Sequence, residues 1–87
     1  MTKNDIIEQL AAIEHERWGD WQQWVHECCD RVDGGYRIPT LLIERWERQI
    51  ATPYADLSER EKQSDRDQVY RYWPLIENYF REVMSRD

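Results

Sequence analysis

The sequence predicts an all-α fold: a compact three-helix domain with a short loop or hairpin after the first helix. Three observations predict it. Apolar residues recur at helical spacing in three stretches, residues 6–29, 42–50 and 59–84. Turn chemistry separates them, with Asp33-Gly34-Gly35 in the first gap and Pro53 in the second. Ser58 followed by Glu61 forms a capping box that opens the third stretch.

Helix one has acceptable N-caps at Thr2, Asn4 and Asp5 and ends near Cys29. Residues 6–29 span roughly 35 Å as a helix. Ile6, Leu10, Ile13, Trp18, Trp21 and Trp24 fall on one half of its surface, and Glu8, Glu16, Gln23 and His26 on the other. Two charges break this division. Glu14 and Arg17 lie near the middle of the apolar face, where charge is costly unless it is paired or meets a ligand.

The segment from Asp30 to Tyr36 reads as a short hairpin or an open loop. Pro39 suits the first turn of a second helix that runs to Gln49 or Ile50. Its apolar stripe is Leu42, Ile43, Trp46 and Ile50, and so short a helix depends on packing. In the connector, Pro53 biases Thr52 toward an extended conformation, and Leu57 before the cap can supply a hydrophobic staple. Helix three shares Val69, Tyr72, Trp73, Ile76, Phe80 and Val83 on one face. Pro74 falls on the opposite side, where it either kinks this helix or splits it in two. Extended toward Ser58, the apolar face reaches Lys62, Asp65 and Arg66, so charge again lies in line with apolar residues. Three helices around one aromatic core is the economical arrangement, with Trp24 and Trp73 assigned to that core.

Residues 1–87 are read as one small domain, near the lower size at which a single core holds itself together. A formal charge of −6 argues against a binder of nucleic-acid polymers, which presents a basic face. No apolar run approaches the roughly 20 residues of a membrane span, and no signal-peptide pattern opens the chain. Cys28 and Cys29 are adjacent and do not make a disulfide framework, so a reducing, cytoplasmic setting is the simple expectation. His15 and His26 would lie about 16 Å apart along the helix, too far to share a metal ion. No nucleophile-and-base spacing and no glycine-rich phosphate loop is present, and Gly19 stands where H-E-x-x-H needs its second histidine. The expectation is a non-enzyme with no metal and no cofactor.

Two explanations fit the misplaced charges. In the structural one, Glu14 pairs with Arg17 along the helix, and Asp65 and Arg66 join them across helices in a partly buried network. In the functional one, Arg17, Lys62 and Arg66 surround a cleft edged by Trp18, Trp21 and Tyr54, with Trp46 and Tyr70 as further edge candidates. Cations beside aromatic faces suit a flat ring carrying phosphate, because the ring stacks while guanidinium forks onto oxygen. A nucleotide or nucleotide-derived signal is the obvious member of that class.

Two segments resemble a known family. The run Ile13-Glu-His-Glu-Arg-Trp18 is similar to the I-H-E-x-W segment that opens the ryanodine receptor repeat, or RyR, domain, with one residue inserted before His15. Residues 53–66 resemble its second signature, P-[YW]-x-x-L-x-x-x-E-K-x-x-D-R, through Pro53, Tyr54, Leu57, Glu61, Lys62, Asp65 and Arg66. Gly34-Gly35-Tyr36 stands where the family carries G-W-x-Y-G, and Ile50-Ala51-Thr52 where it carries H-P-x-L. The resemblance implies a helical domain of the small free-standing bacterial or phage type, proposed to recognise nucleotides or nucleotide-derived signals.

The sequence therefore leads to a non-enzymatic sensor or sequestering module for a small nucleotide-like ligand. Arg17, Lys62 and Arg66 are assigned to phosphate, Trp18, Trp21 and Tyr54 to ring stacking, and Glu14 and Asp65 to orienting the cations or accepting from a base. The alternative is an acidic protein-interaction module that docks on a larger enzyme or complex. A chain this rich in Trp and Tyr also favours a homodimer through an aromatic patch.

Overall fold

The computed structural model describes residues 1–86. In chain order it contains helix α1 (Lys3–Cys28), strands β1 (Asp30–Val32) and β2 (Gly35–Arg37), helix α2 (Thr40–Ile50), one 3₁₀ turn (Tyr54–Asp56) and helix α3 (Glu59–Met84). The fold is all-α, with three helices and a two-stranded hairpin directly after the first.

Both long helices begin on reciprocal caps. The Asp5 amide donates to Thr2 Oγ1 at 3.1 Å, and the Thr2 amide donates to Asp5 Oδ2 at 2.8 Å. Ser58 and Glu61 make the same exchange, each bond 3.2 Å long, as the sequence pattern anticipates. The hairpin pairs Arg31 with Tyr36 and Val32 with Gly35, leaving Asp33 and Gly34 as its two-residue loop. Gly34 has φ 81°, the left-handed value that glycine accommodates without a Cβ clash. His26 of α1 stacks on Tyr36 with ring centroids 5.8 Å apart, which seats the hairpin on the end of α1. Pro74 neither stops nor divides α3, which is one helix from Glu59 to Met84.

The long helices run antiparallel. The amino group of Met1 meets Glu82 near the far end of α3, while Arg71 donates to Asp20 at 2.8 Å. Leu10 and Ile13 of α1 and Tyr72 and Ile76 of α3 are half-buried. Helix α2 docks on α1 through Trp46, whose ring lies 6.4 Å from that of Trp21 and 6.2 Å from that of Trp24.

The packing corrects the expected closed aromatic core. Among the described residues none is fully buried, and the two indoles assigned to the core, Trp24 and Trp73, are 41% and 44% exposed. The chain measures 60 × 34 × 16 Å, with a radius of gyration of 17.8 Å, against about 12 Å for a globular chain of this length. The cause is geometric. Helix α1 meets α3 along one line and the short α2 near its C-terminal end, whereas closing a core takes a further element over the remaining face.

Candidate functional site

The sequence-predicted site residues fall into three local groups. The best assembled lies where the 3₁₀ turn enters α3. The Asp56 amide donates to the Pro53 carbonyl at 2.9 Å, which fixes the turn that carries Tyr54. Lys62 and Arg66, four residues apart, share one face of α3. Lys62 Nζ lies 5.9 Å from the centre of the Tyr54 ring, within range of a cation–π contact. Arg66 Nη1 donates to Glu59 at 2.7 Å and to Gln63 Oε1 at 3.2 Å. The hydrogen bond from Arg66 holds the Glu59 carboxyl below its ordinary pKa. Glu59, with Tyr54 adding a smaller contribution, raises that of the Arg66 guanidinium.

The second group sits on α1. Arg17 closes its fork on Glu14, with Nε at 2.9 Å and 3.0 Å from the two carboxylate oxygens and Nη2 in direct contact. This hydrogen bonding pushes the Glu14 carboxyl down and the Arg17 guanidinium up. Trp18 stacks on His15 one turn away, with centroids 6.4 Å apart and planes 20° from parallel. The third group is the tryptophan cluster, where Trp21 tilts against Trp46.

These groups remain separate. Tyr54 and Lys62 come together with Arg66 on the next turn, while Arg17 is neutralised by a carboxylate of its own helix and, among the described residues, shares no ion-pair partner with Arg66. The cross-helix network expected of Glu14, Arg17, Asp65 and Arg66 does not form. Among the described residues Asp65 makes no hydrogen bond or ion pair, and Arg17 and Arg66 each take a carboxylate one or two turns away on their own helix. Local pairing wins because a partner one or two turns away needs no interhelical contact to be within reach.

Two hollows open on the surface, and neither is lined by any of the seven predicted site residues. One, of about 480 Å³, lies among Glu59, Arg60, Gln63, Ser64 and Asp67 on the polar side of α3. The other, of about 470 Å³, lies between the long helices among Ile7, Leu10, Ala11, Glu14, Tyr72 and Ile76. Among the described residues, no three His, Cys, Asp or Glu side chains gather as metal ligands, and no helix is long and apolar enough to cross a membrane.

Sequence reasoning missed one junction beside the site. Glu61 serves two elements with its two oxygens: Oε1 accepts from the Ser58 amide, and Oε2 accepts from Gln49 Nε2 at 2.6 Å and Arg48 Nη2 at 3.2 Å. Hydrogen bonds from Ser58 first, then from Gln49, lower its carboxyl from 4.5 to about 2. The capping pattern identifies the first task. The second depends on where the connector returns α2, which no local spacing encodes.

Comparison with known proteins finds no matching family model, no similar curated protein and no similar solved structure.

Proposed function

We propose that the chain is a non-enzymatic module that binds a small nucleotide-like ligand at Tyr54, Lys62 and Arg66. The observation that carries this reading is the placement of the Lys62 ammonium over the Tyr54 ring, with the Arg66 guanidinium one turn further along the same face of α3. Tyr54 offers a half-exposed phenol face for a base, Lys62 a point charge, and Arg66 a planar fork for phosphate oxygens. Arg66 can turn to a ligand because its present partner Glu59 is 77% exposed, and ion pairs open to solvent are weak. Asp65, which has no hydrogen-bond or ion-pair partner among the described residues, is placed to accept from a base or to orient the adjacent cation. Arg17, Trp18 and Trp21 lie outside this centre, against Glu14, His15 and Trp46 respectively. The same three central residues fall within the stretch that resembles the RyR signature, which supports the ligand class.

The test is a thermal melt against a panel of nucleotides, including cyclic dinucleotides and ADP-ribose derivatives. A ligand at a hundred times its Kd should stabilise the fold by about 2.7 kcal/mol. Arg66→Ala and Lys62→Ala should abolish that shift while leaving the helical circular dichroism intact. If no compound moves the midpoint and a stoichiometric protein is recovered from lysate, the module binds protein instead.

A further inference from the structure

We infer that a second copy of this chain packs on the open face shared by α1 and α3, so that the folded unit is a homodimer. The first ground is area. A monomeric protein of 10.7 kDa exposes about 5,500 Å². This chain exposes 7231 Å². The excess, roughly 1,700 Å² per chain, corresponds to about 3,400 Å² for a pair, within the range of obligate homodimer interfaces.

The second ground is the apolar pattern along α3, where Val69, Trp73, Phe80 and Val83 are exposed and Ile76 is half-buried. Val69, Trp73, Ile76, Phe80 and Val83 follow one another along α3 at steps of four, three, four and three residues. That is the seam by which one helix receives the knobs of another. Helix α1 leaves the seam largely open, and Phe80 is 59% exposed. Ile76 also lines the apolar hollow opposite Ile7, Leu10 and Ala11, so seam and hollow form one continuous surface. Ridges of one copy have a groove of the other to enter.

Charge selects a second copy over a partner of opposite sign. The five seam residues carry no ionisable group, and the one charge in the hollow, Glu14, is already paired with Arg17. Although each chain carries −6, two identical faces meet here without like-charge repulsion. A basic partner drawn to the acidic chain would find nothing on this face to neutralise. Burial also orphans no polar atom of Trp73, whose Nε1 donates to Glu77 at 2.6 Å within its own helix. An isologous pairing, in which the same surface serves both subunits, satisfies these conditions.

The inference is independent of the ligand reading, because Tyr54, Lys62 and Arg66 lie at the other end of α3 from Phe80. Sedimentation equilibrium of the full chain should give a species of about 21 kDa, twice the chain mass. Its melting midpoint should rise by roughly 5–10 °C over a hundredfold increase in concentration. Phe80→Glu should shift the mass toward one chain and lower the helical signal. That variant can fail to fold for its own reasons, so the unmodified protein supplies a second measurement. In a mixture of isotope-labelled and unlabelled copies, Trp73 and Phe80 should show intermolecular nuclear Overhauser effects. A 10.7 kDa species with a cooperative, concentration-independent melt would overturn the inference, as would intermolecular contacts confined to other faces. Arg66→Ala should leave the mass and its concentration dependence unchanged, so a failed nucleotide panel leaves the dimer standing.

Discussion

The junction of α2 with α3 and the face between α1 and α3 hold together by opposite means. At the junction, Ser58, Gln49, Arg48 and Glu61 form a directional polar knot that a few residues close within themselves. On the α1–α3 face, apart from the ion pairs Met1–Glu82 and Asp20–Arg71, the contacts are apolar, and every large side chain keeps part of its surface in water. Hydrogen bonds to a carboxylate are complete once the donors arrive, whereas apolar burial grows with each element added and stays partial without a second layer. The polar end of the molecule is therefore self-sufficient, and the apolar face is not.

The sharpest break in this contrast is Trp46→Ala. Trp46 is half-buried and contacts two indoles of α1, and it is the aromatic anchor of the otherwise short α2. Its loss should cost about 2–3 kcal/mol, less than for a fully buried tryptophan because solvent already reaches the ring. Urea unfolding should register this as a lower midpoint with an unchanged slope. A loss below about 1 kcal/mol would mean that the Glu61 knot alone holds α2 in place.

Acid probes the knot from the other side. The Glu61 carboxyl is depressed in the folded chain, from 4.5 to about 2. A depressed carboxyl contributes stability that is fully present above 4.5 and is lost as pH falls from there toward 2. Stability measured between pH 7 and pH 3 should therefore decline below about 4.5. Glu61→Gln should flatten part of that decline, while Glu14, Glu59, Asp5 and Glu82, each lowered by its own hydrogen bonds, account for the remainder. An identical acid profile for Glu61→Gln would show that the junction does not depend on its charge.

Legibility in the sequence divides along the same line. Interactions that close within one turn are visible: the Ser58–Glu61 box, the Asp33-Gly34 turn and the pairing of Glu14 with Arg17, while the first N-cap is narrowed to Thr2, Asn4 or Asp5 and falls on Thr2. The rise of Lys62 and Arg66 on one face was visible too, since it follows from helical spacing alone. What spacing does not carry is the angle at which one helix meets the next. It therefore left open the course of α3 through Pro74, joined Asp65 to a network that does not form, and placed Trp24 and Trp73 in an interior. A stripe of apolar residues states that a face seeks cover, but not whether the cover comes from the same chain. The same pattern served for both answers, and only the exposed area tells them apart.

The ion pair between Asp20 and Arg71 gives the smallest and most discriminating effect. Apart from the Met1–Glu82 contact, it is the ion pair that links α1 to α3 among the described residues, at 2.8 Å, with Asp20 68% exposed. If apolar contact docks these helices, the pair only orients them, and Asp20→Asn should change stability by less than about 0.5 kcal/mol. Even that difference should vanish at 1 M salt, where the screening length falls to about 3 Å. A loss of 2 kcal/mol or more, persisting in high salt, would invert the contrast. The α1–α3 face would then be fastened by charge like the junction, and its apolar seam would be free of any structural duty toward the neighbouring helix.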